Sequence, residues 1–335
     1  MRDAMMITES DIHAAGGVLG CEVEVMVGDS EGLSERATAL MERLITRNSV
    51  LAVGGGYHSS VGEVSNDVAD ARGIQVVFAE TWDDTITGDK QKYILRIAPL
   101  SSWATGEIWP FALTLPDVAK VAILTEDTDC GIPADQETAA GFGSGGVDSV
   151  IFSVDIGRQD HACIVERIKA ESPDRIIMVV TGEVACNFTQ QAADADIGPL
   201  DLPFVTDQEA LESGSYWTNL PDGQYAFEQR IGVPETQFTV KGNAFAAAYE
   251  EEIGRSDVES YAMEAYDSMA ILAQAISEAV STDGDAIVAA LKIIEHDGTL
   301  GKIYFPYGTP KDRSADGKGD EWWRRWPDPA ITLIQ

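Results

Sequence analysis

The stretch Gly54-Gly-Gly-Tyr-His-Ser-Ser60 gathers the groups best suited to hold a ligand. It follows a short apolar run, 50–53, and precedes a helical pattern, 60–72. Glycines let a ligand approach the backbone. Free N–H groups at a helix start, with the positive end of its dipole, favour a carboxylate or other anion. Ser59 and Ser60 add hydroxyls, and Tyr57 adds an aromatic wall. Ser60 with Glu63 reads as an S-x-x-E capping box that marks the helix start. In open parallel sheets ligands collect beyond the carboxyl ends of strands. Four further strand-end loops are therefore candidates: 79–82 with Glu80, Thr81 and Trp82; 127–131; 182–184 with Glu183; and 206–209 with Asp207 and Gln208. Acids there suit an ammonium, Ser59 and backbone amides suit a carboxylate, and Tyr57 or Trp82 suits an apolar group. Together they equip a site for a small zwitterion.

Other chemistries find little support in the motifs. Gly141-Phe-Gly-Ser-Gly-Gly146 satisfies G-x-G-x-x-G but follows a helical pattern and precedes a strand, the reverse of a dinucleotide fingerprint. Gly54-Gly55-Gly56 lacks the lysine and hydroxyl of a phosphate loop. His13, His58, His161 and His296 have no nucleophile at a recognisable spacing, which counts against hydrolysis. Cys21, Cys130, Cys163 and Cys186 form no C-x-x-C pair, so they read as buried or half-buried thiols, with pairing left open. No catalytic set, cofactor or metal site is expected.

Charge narrows the partners. There are 56 acids against 23 bases, for a net charge of −33, spread along the chain. Such a surface repels nucleic acid and anionic membranes. Without a calcium-loop motif, it reads as a solvated acidic shell suited to molar salt, where self-repulsion is screened. The apolar runs, such as 121–124 within the expected strand 118–124, are too short to span a membrane.

The elements needed to position these loops alternate. Strands are expected at 22–27, 50–53, 75–78 and 94–97, with helices at 33–45, 60–72 and 103–113. The pattern restarts with strands at 118–124, 150–154, 176–180 and 203–205, separated by helices at 134–140, 162–170 and 183–195. Such alternation predicts an α/β protein with two doubly wound parallel-sheet lobes. The last third reads as helices 244–253, 261–280 and 284–294, a strand 302–305, a polar loop 309–320 and a closing strand 330–334. Trp322, Trp323 and Trp326 are expected to pack the chain there rather than to form a docking surface.

The order of motifs resembles the periplasmic leucine/isoleucine/valine-binding proteins, the type I solute receptors of branched-chain amino-acid ABC transporters. The matching stretches are Asp11-Ile-His-Ala-Ala-Gly-Gly-Val-Leu-Gly20 leading into 23–29, 37–47 leading into Val53-Gly-Gly-Gly-Tyr-His-Ser-Ser60, Arg96-Ile-Ala-Pro99, 121–131, Ala265-Tyr266-Asp267, and Leu300-Gly-Lys-Ile-Tyr-Phe305. The resemblance extends over nearly the whole chain. The resemblance implies that Ser59 holds a ligand carboxylate and that 80–82 complete that contact. Cys130 falls where many members carry an aromatic, and Glu183 or Val184 falls near another. Gln208 falls on the acid that often meets the ammonium, with Asp207 or Glu209 as substitutes, and Tyr261 falls near an apolar wall. The implied fold is the type I periplasmic binding protein fold, lobes joined by three crossovers near 116–119, 237–240 and 307–330. Lobe one is 1–118 plus 240–307, lobe two 119–239 plus 329–335, and 308–328 is a crossover loop with the tryptophans. The solute sits between the lobes and biases a hinge toward closure.

The implied function is the extracytoplasmic binding component of an ABC importer for a branched-chain or other small amino acid or amide, with permease and ATPase subunits as partners. The alternative is a cytoplasmic sensor of the same fold acting on a regulatory partner. Family members open with an export signal, a strand and a loop before the helix leading to Gly16-Gly17; this chain starts inside that helix. The expectation is a shortened form of an exported, membrane-anchored protein; read literally, its start would make it cytoplasmic. The missing strand is central to the first sheet, whose native neighbours 22–27 and 50–53 should then flank a gap, at about 1–3 kcal/mol per unpaired buried group.

Overall fold

The computed structural model describes residues 1–335 apart from 128–130, 156, 181, 207–215, 217–219, 221–222, 224, 308–318, 328 and 335, and apart from the side chains of 131–134 and 182–183. The elements run α1 (Arg2–Ala14), α2 (Ser34–Thr46), β1 (Ala52–Gly55), α3 (Ser59–Arg72), β2 (Gln75–Phe78), α4 (Thr85–Gly88) and β3 (Ile94–Arg96). Next come α5 (Ser101–Thr114), β4 (Lys120–Glu126), α6 (Gly131–Ser144), β5 (Asp148–Val154), α7 (Ala162–Glu171), β6 (Arg175–Val179), α8 (Gly182–Asp194), β7 (Phe204–Thr206) and β8 (Ala226–Ile231). The chain closes with α9 (Val240–Ile253), α10 (Ser260–Ala279), α11 (Gly284–Leu291), β9 (Glu295–Asp297), β10 (Lys302–Tyr304) and β11 (Ile331–Ile334).

Two units divide these elements, Met1–Leu100 with Glu235–Ala330, and Ser101–Pro234 with Ile331–Gln335. The chain thus passes between them at 100/101, 234/235 and 330/331. The first passage lies earlier than the expected 118/119. The reason is packing: Ile108 and Ala112 of α5 are buried with Val121 and Ile123 of β4 and with Phe142 and Val147. The tryptophan segment belongs to the first unit.

In the first unit β1, β2 and β3 form a parallel sheet in that order. Successive side chains of a strand point to opposite faces. Val77 and Leu95 therefore enter a core with Ile271, Leu272 and Ala275 of α10, Ile287 and Leu291 of α11, Ile303 and Trp326. Val76, Phe78 and Ile94 enter a second cluster with Met41 of α2, Ala69 of α3 and Ile86 of α4. Burial on both faces is why 76–78 reads as a continuous apolar run. Each fully buried Leu, Ile or Phe contributes roughly 1.5–3 kcal/mol. Beyond β3, the Arg96 N–H donates to Arg324 O at 3.2 Å and the Trp326 N–H to Arg96 O at 2.9 Å, so 324–326 lie against the sheet edge. The expected packing role of the tryptophans is met there: Trp323 and Trp326 are buried, and the Arg325 guanidinium stacks 4.1 Å from the Trp322 ring centre.

One predicted strand is absent. The alternating run Glu22-Val-Glu-Val-Met-Val27 is irregular backbone. A strand forms only where a neighbour answers its N–H and C=O groups. Here those groups turn to α1: the Val25 N–H donates to Glu9 Oε2 at 2.6 Å, and Val23 O lies 2.7 Å from His13 Nε2.

The second unit holds a six-stranded sheet, order β11-β8-β7-β6-β4-β5, parallel except for β11 against β8. One face packs Ala122, Leu124, Ile176, Met178 and Phe204 on Ile164, Ile168, Val184 and Phe188 of α7 and α8. The Gly141–Gly146 glycines end α6 and turn into β5, as a helix-to-strand connection should. Among the described cysteines Cys21 and Cys163 are exposed and only Cys186 is half-buried; all are free. The expected burial thus fails for two thiols, which lie outside the clusters that the sheets and helices close. No described helix is long and apolar enough to cross a membrane.

Candidate ligand-binding site

The corner begins where β1 ends. Gly55 and Gly56 have φ of +96° and +90°, which side-chain-bearing residues rarely adopt. A Cβ on Gly56 would stand 2.7 Å from the Phe78 ring. The chain can therefore turn tightly into α3 while the β1–β2 ladder continues beyond the strands. The Ala79 N–H donates to Gly55 O at 2.9 Å and the Glu80 N–H to Gly56 O at 3.0 Å. This continuation sets the 79–83 loop beside the start of α3.

His58 is the N-cap of α3, with no side-chain cap bond, and Ser59 is the first helical residue. The predicted capping box is thus not formed. Glu63 instead accepts from Thr85 Oγ1 at 2.8 Å, and the serine nearest the turn is used sideways. Ser59 Oγ accepts the Trp82 N–H and the Asp83 N–H, each at 3.1 Å. A hydroxyl has one proton and two acceptor positions. With both acceptor positions filled, Ser59 is left as a donor, and its environment already favours an anion through the helix dipole. Burial holds the His58 imidazole pKa below its usual value.

The loop is held from behind by Arg96, which the sequence offers only within the stretch Arg96-Ile-Ala-Pro99 and not as a site residue. Arg96 is fully buried at the end of β3. Its Nη1 donates to Thr81 O at 3.2 Å, Trp82 O at 3.0 Å and Asp83 O at 2.6 Å, and its Nη2 donates to Thr87 Oγ1 at 3.0 Å. The signal in the sequence was an arginine inside the apolar run Ile94-Leu-Arg-Ile97, since a buried cation must find oxygen partners. Asp83 closes the loop by accepting from the Thr85 N–H at 2.7 Å.

Of the predicted site residues, the structure brings Tyr57, Ser59, Ser60, Glu80, Thr81 and Trp82 to this corner. Glu80, Thr81 and Trp82 are buried. Ser60 O accepts from Ser34 Oγ at 3.1 Å, tying the corner to α2. Tyr261, at the start of α10, joins through Tyr57: their rings meet edge-on with centres 6.1 Å apart. Cys130, Asp207 and Gln208 lie outside the described residues, as does the side chain of Glu183. Among the described residues no group of three or more His, Cys, Asp or Glu could hold a metal ion.

Parallel sheets flanked by helices and divided between two units, with a strand–turn–helix corner at the carboxyl end of β1, have the architecture of the type I periplasmic binding protein fold. A sequence model of the family described as periplasmic binding protein matches residues 1–321, and the chain belongs to that family. It is similar to Leu/Ile/Val-binding protein homolog 8 of Brucella abortus, 22% identical over 296 residues, covering 85% of this chain and 73% of that one. Homolog 7 of the same organism is 21% identical over 344 residues, covering 98% and 84%. The fold matches the substrate-binding protein LivJ of Streptococcus pneumoniae solved with isoleucine, at TM-score 0.83 and 17% identity, over 100% of this chain and 90% of that one. It also matches a Rhodopseudomonas palustris ABC-transporter solute-binding protein solved with 3,4-dihydroxybenzoic acid, at TM-score 0.80 and 19% identity, covering 99% and 87%. These relatives and neighbours are named for binding, not for catalysis.

Proposed function

We propose that this protein is the extracytoplasmic receptor of an ABC importer and captures a small carboxylate-bearing solute, an amino acid first of all and an aromatic acid second. The observation that carries this reading is Ser59, whose hydroxyl accepts two backbone amides and keeps its proton for an anion. Tyr57, Trp82 and Tyr261 supply aromatic surface for the rest of the solute, and Glu80 and Thr81 belong to the same loop. Cys130, Glu183, Asp207 and Gln208 are the second unit's candidate contacts. The relatives' names and the isoleucine and dihydroxybenzoate of the structural neighbours support this solute range. Permease and ATPase subunits are the proposed partners. The excess of 56 acids over 23 bases is proposed to be a shell adapted to molar salt.

The test is a thermal-shift screen of amino acids, their amides and benzoates in molar KCl, repeated with Ser59→Ala. A solute that raises the midpoint of the native protein, and loses at least about tenfold in affinity in the variant (about 1.4 kcal/mol), supports the reading. No shift with any solute refutes it.

A further inference from the structure

We infer that Arg96 is the positioning residue of the anion corner, acting on the solute through two peptide groups and the Ser59 hydroxyl; this rests on the function proposed above. The argument is one of connectivity. The carbonyl of Thr81 and the N–H of Trp82 belong to one peptide group, and the carbonyl of Trp82 and the N–H of Asp83 to the next. Arg96 Nη1 donates to both carbonyls, at 3.2 and 3.0 Å, while both N–H groups donate to Ser59 Oγ at 3.1 Å. C=O and N–H point in opposite directions across a trans peptide. The two peptides are thus bridges with the guanidinium at one end and the serine oxygen at the other.

Two consequences follow. First, the guanidinium fixes the tilt of both peptide planes, so the amides converge on one oxygen and the Ser59 proton has a single free direction. Second, hydrogen bonds in a chain polarise one another. A positive charge on the carbonyl side makes each N–H a better donor, which draws electron density from the Ser59 oxygen and makes its O–H a stronger donor in turn. That gain is large for a ligand carboxylate and small for a neutral amide. Arg96 therefore sets discrimination between acid and amide without touching the solute. Its planar fork suits the task. Nη1 holds three successive carbonyls while Nη2 takes Thr87 Oγ1, whose own proton goes to Glu321 O at 2.8 Å. A lysine is a point charge and cannot reproduce that geometry.

The experiment compares native protein, Arg96→Lys and Thr87→Val by calorimetric titration with L-isoleucine and 4-hydroxybenzoate, each against its primary amide. Hydrogen exchange is followed at the Trp82 and Asp83 amides. The native protein should prefer acid to amide by 100-fold or more on the order of two decades of affinity. In Arg96→Lys that ratio should fall about tenfold, and the two amides should exchange faster while the β2 amides do not. Thr87→Val, which leaves Nη1 in place, should move both readouts in the same direction but less, and serves if Arg96→Lys does not fold. An unchanged ratio with unchanged exchange at 82 and 83 overturns the proposal, as does a uniform loss for acid and amide alike. Native protein that binds none of the four probes overturns the proposed function itself.

Discussion

Two fully buried charges each hold a loop in the first unit, in opposite senses. Arg96 donates to the carbonyls of 81–83, and Asp267 on α10 accepts from the N–H groups of Thr299 and Leu300 and from Thr299 Oγ1. Both satisfy a buried ion with backbone groups, which removes much of the cost of burying it. They differ in what lies beyond the loop. Past the 299–300 loop is the cap of α9, where Thr239 Oγ1 donates to Thr299 O at 2.9 Å and accepts the Gly242 N–H at 2.8 Å, so its bonds are used inside the fold. Past the 81–83 loop is Ser59 and the start of α3. The same device is structural in one place and tunes a donor in the other. The difference teaches that a buried charge takes its role from the far side of the peptides it holds.

The sharpest way to break this comparison is Asp267→Ala. It strands the buried Thr299 N–H and loosens Thr299 Oγ1 and the half-buried Leu300 N–H, and should lower stability by roughly 3 kcal/mol, read by urea unfolding, while the acid-to-amide ratio in the surviving folded protein stays as in the native chain. A changed ratio would erase the distinction between the two loops. Thr87→Val loosens Arg96 by one bond and frees Glu321 O, at about 1–2 kcal/mol by the same measurement, and should shift the ratio.

A buried group of a third kind tests the electrostatics in the second unit. His161 is buried at the N-cap of α7, edge-on to Phe188 with ring centres 6.0 Å apart. Burial lowers its pKa. The folded value lies below the unfolded one, so its contribution to stability is full above about pH 6.5 and is lost as pH falls through the folded value. Unfolding midpoints of His161→Leu should fall less steeply between neutral and acid pH than those of the native protein. Equal slopes would show that His161 is not held neutral. The smallest effect is at Val280, an exposed β-branched residue closing α10 with φ of +47°. Val280→Gly should stabilise by about 0.5–1 kcal/mol, seen as a higher thermal midpoint with ligand affinity unchanged.

What could be read from the sequence depended on how local its cause was. The glycine–serine turn announces itself because its backbone demands and its helix start are contained in seven residues. The parallel strands β2 and β3 are legible because burial on both faces leaves the apolar residues 76–78 and 94–95 side by side. The run 22–27 misleads for the converse reason: its alternation is a property of the segment, whereas a strand is a property of a pair. β8 escaped notice because Glu228, Gln229 and Arg230 are buried in it, so its polarity disguised a core strand. Ser60 and Glu63 fit a capping box locally, yet Thr85, 22 residues away, takes the glutamate. Arg96 was visible as a charge in an apolar strand, but its role emerges only when the 81–83 loop is folded over it.

The most direct measurement is isothermal titration of the native protein and Ser59→Ala with L-isoleucine and 4-hydroxybenzoate in molar KCl. The account predicts saturable one-to-one binding of at least one of them, weakened about tenfold or more in the variant. Binding of equal strength in both proteins, or none in the native one, would contradict it.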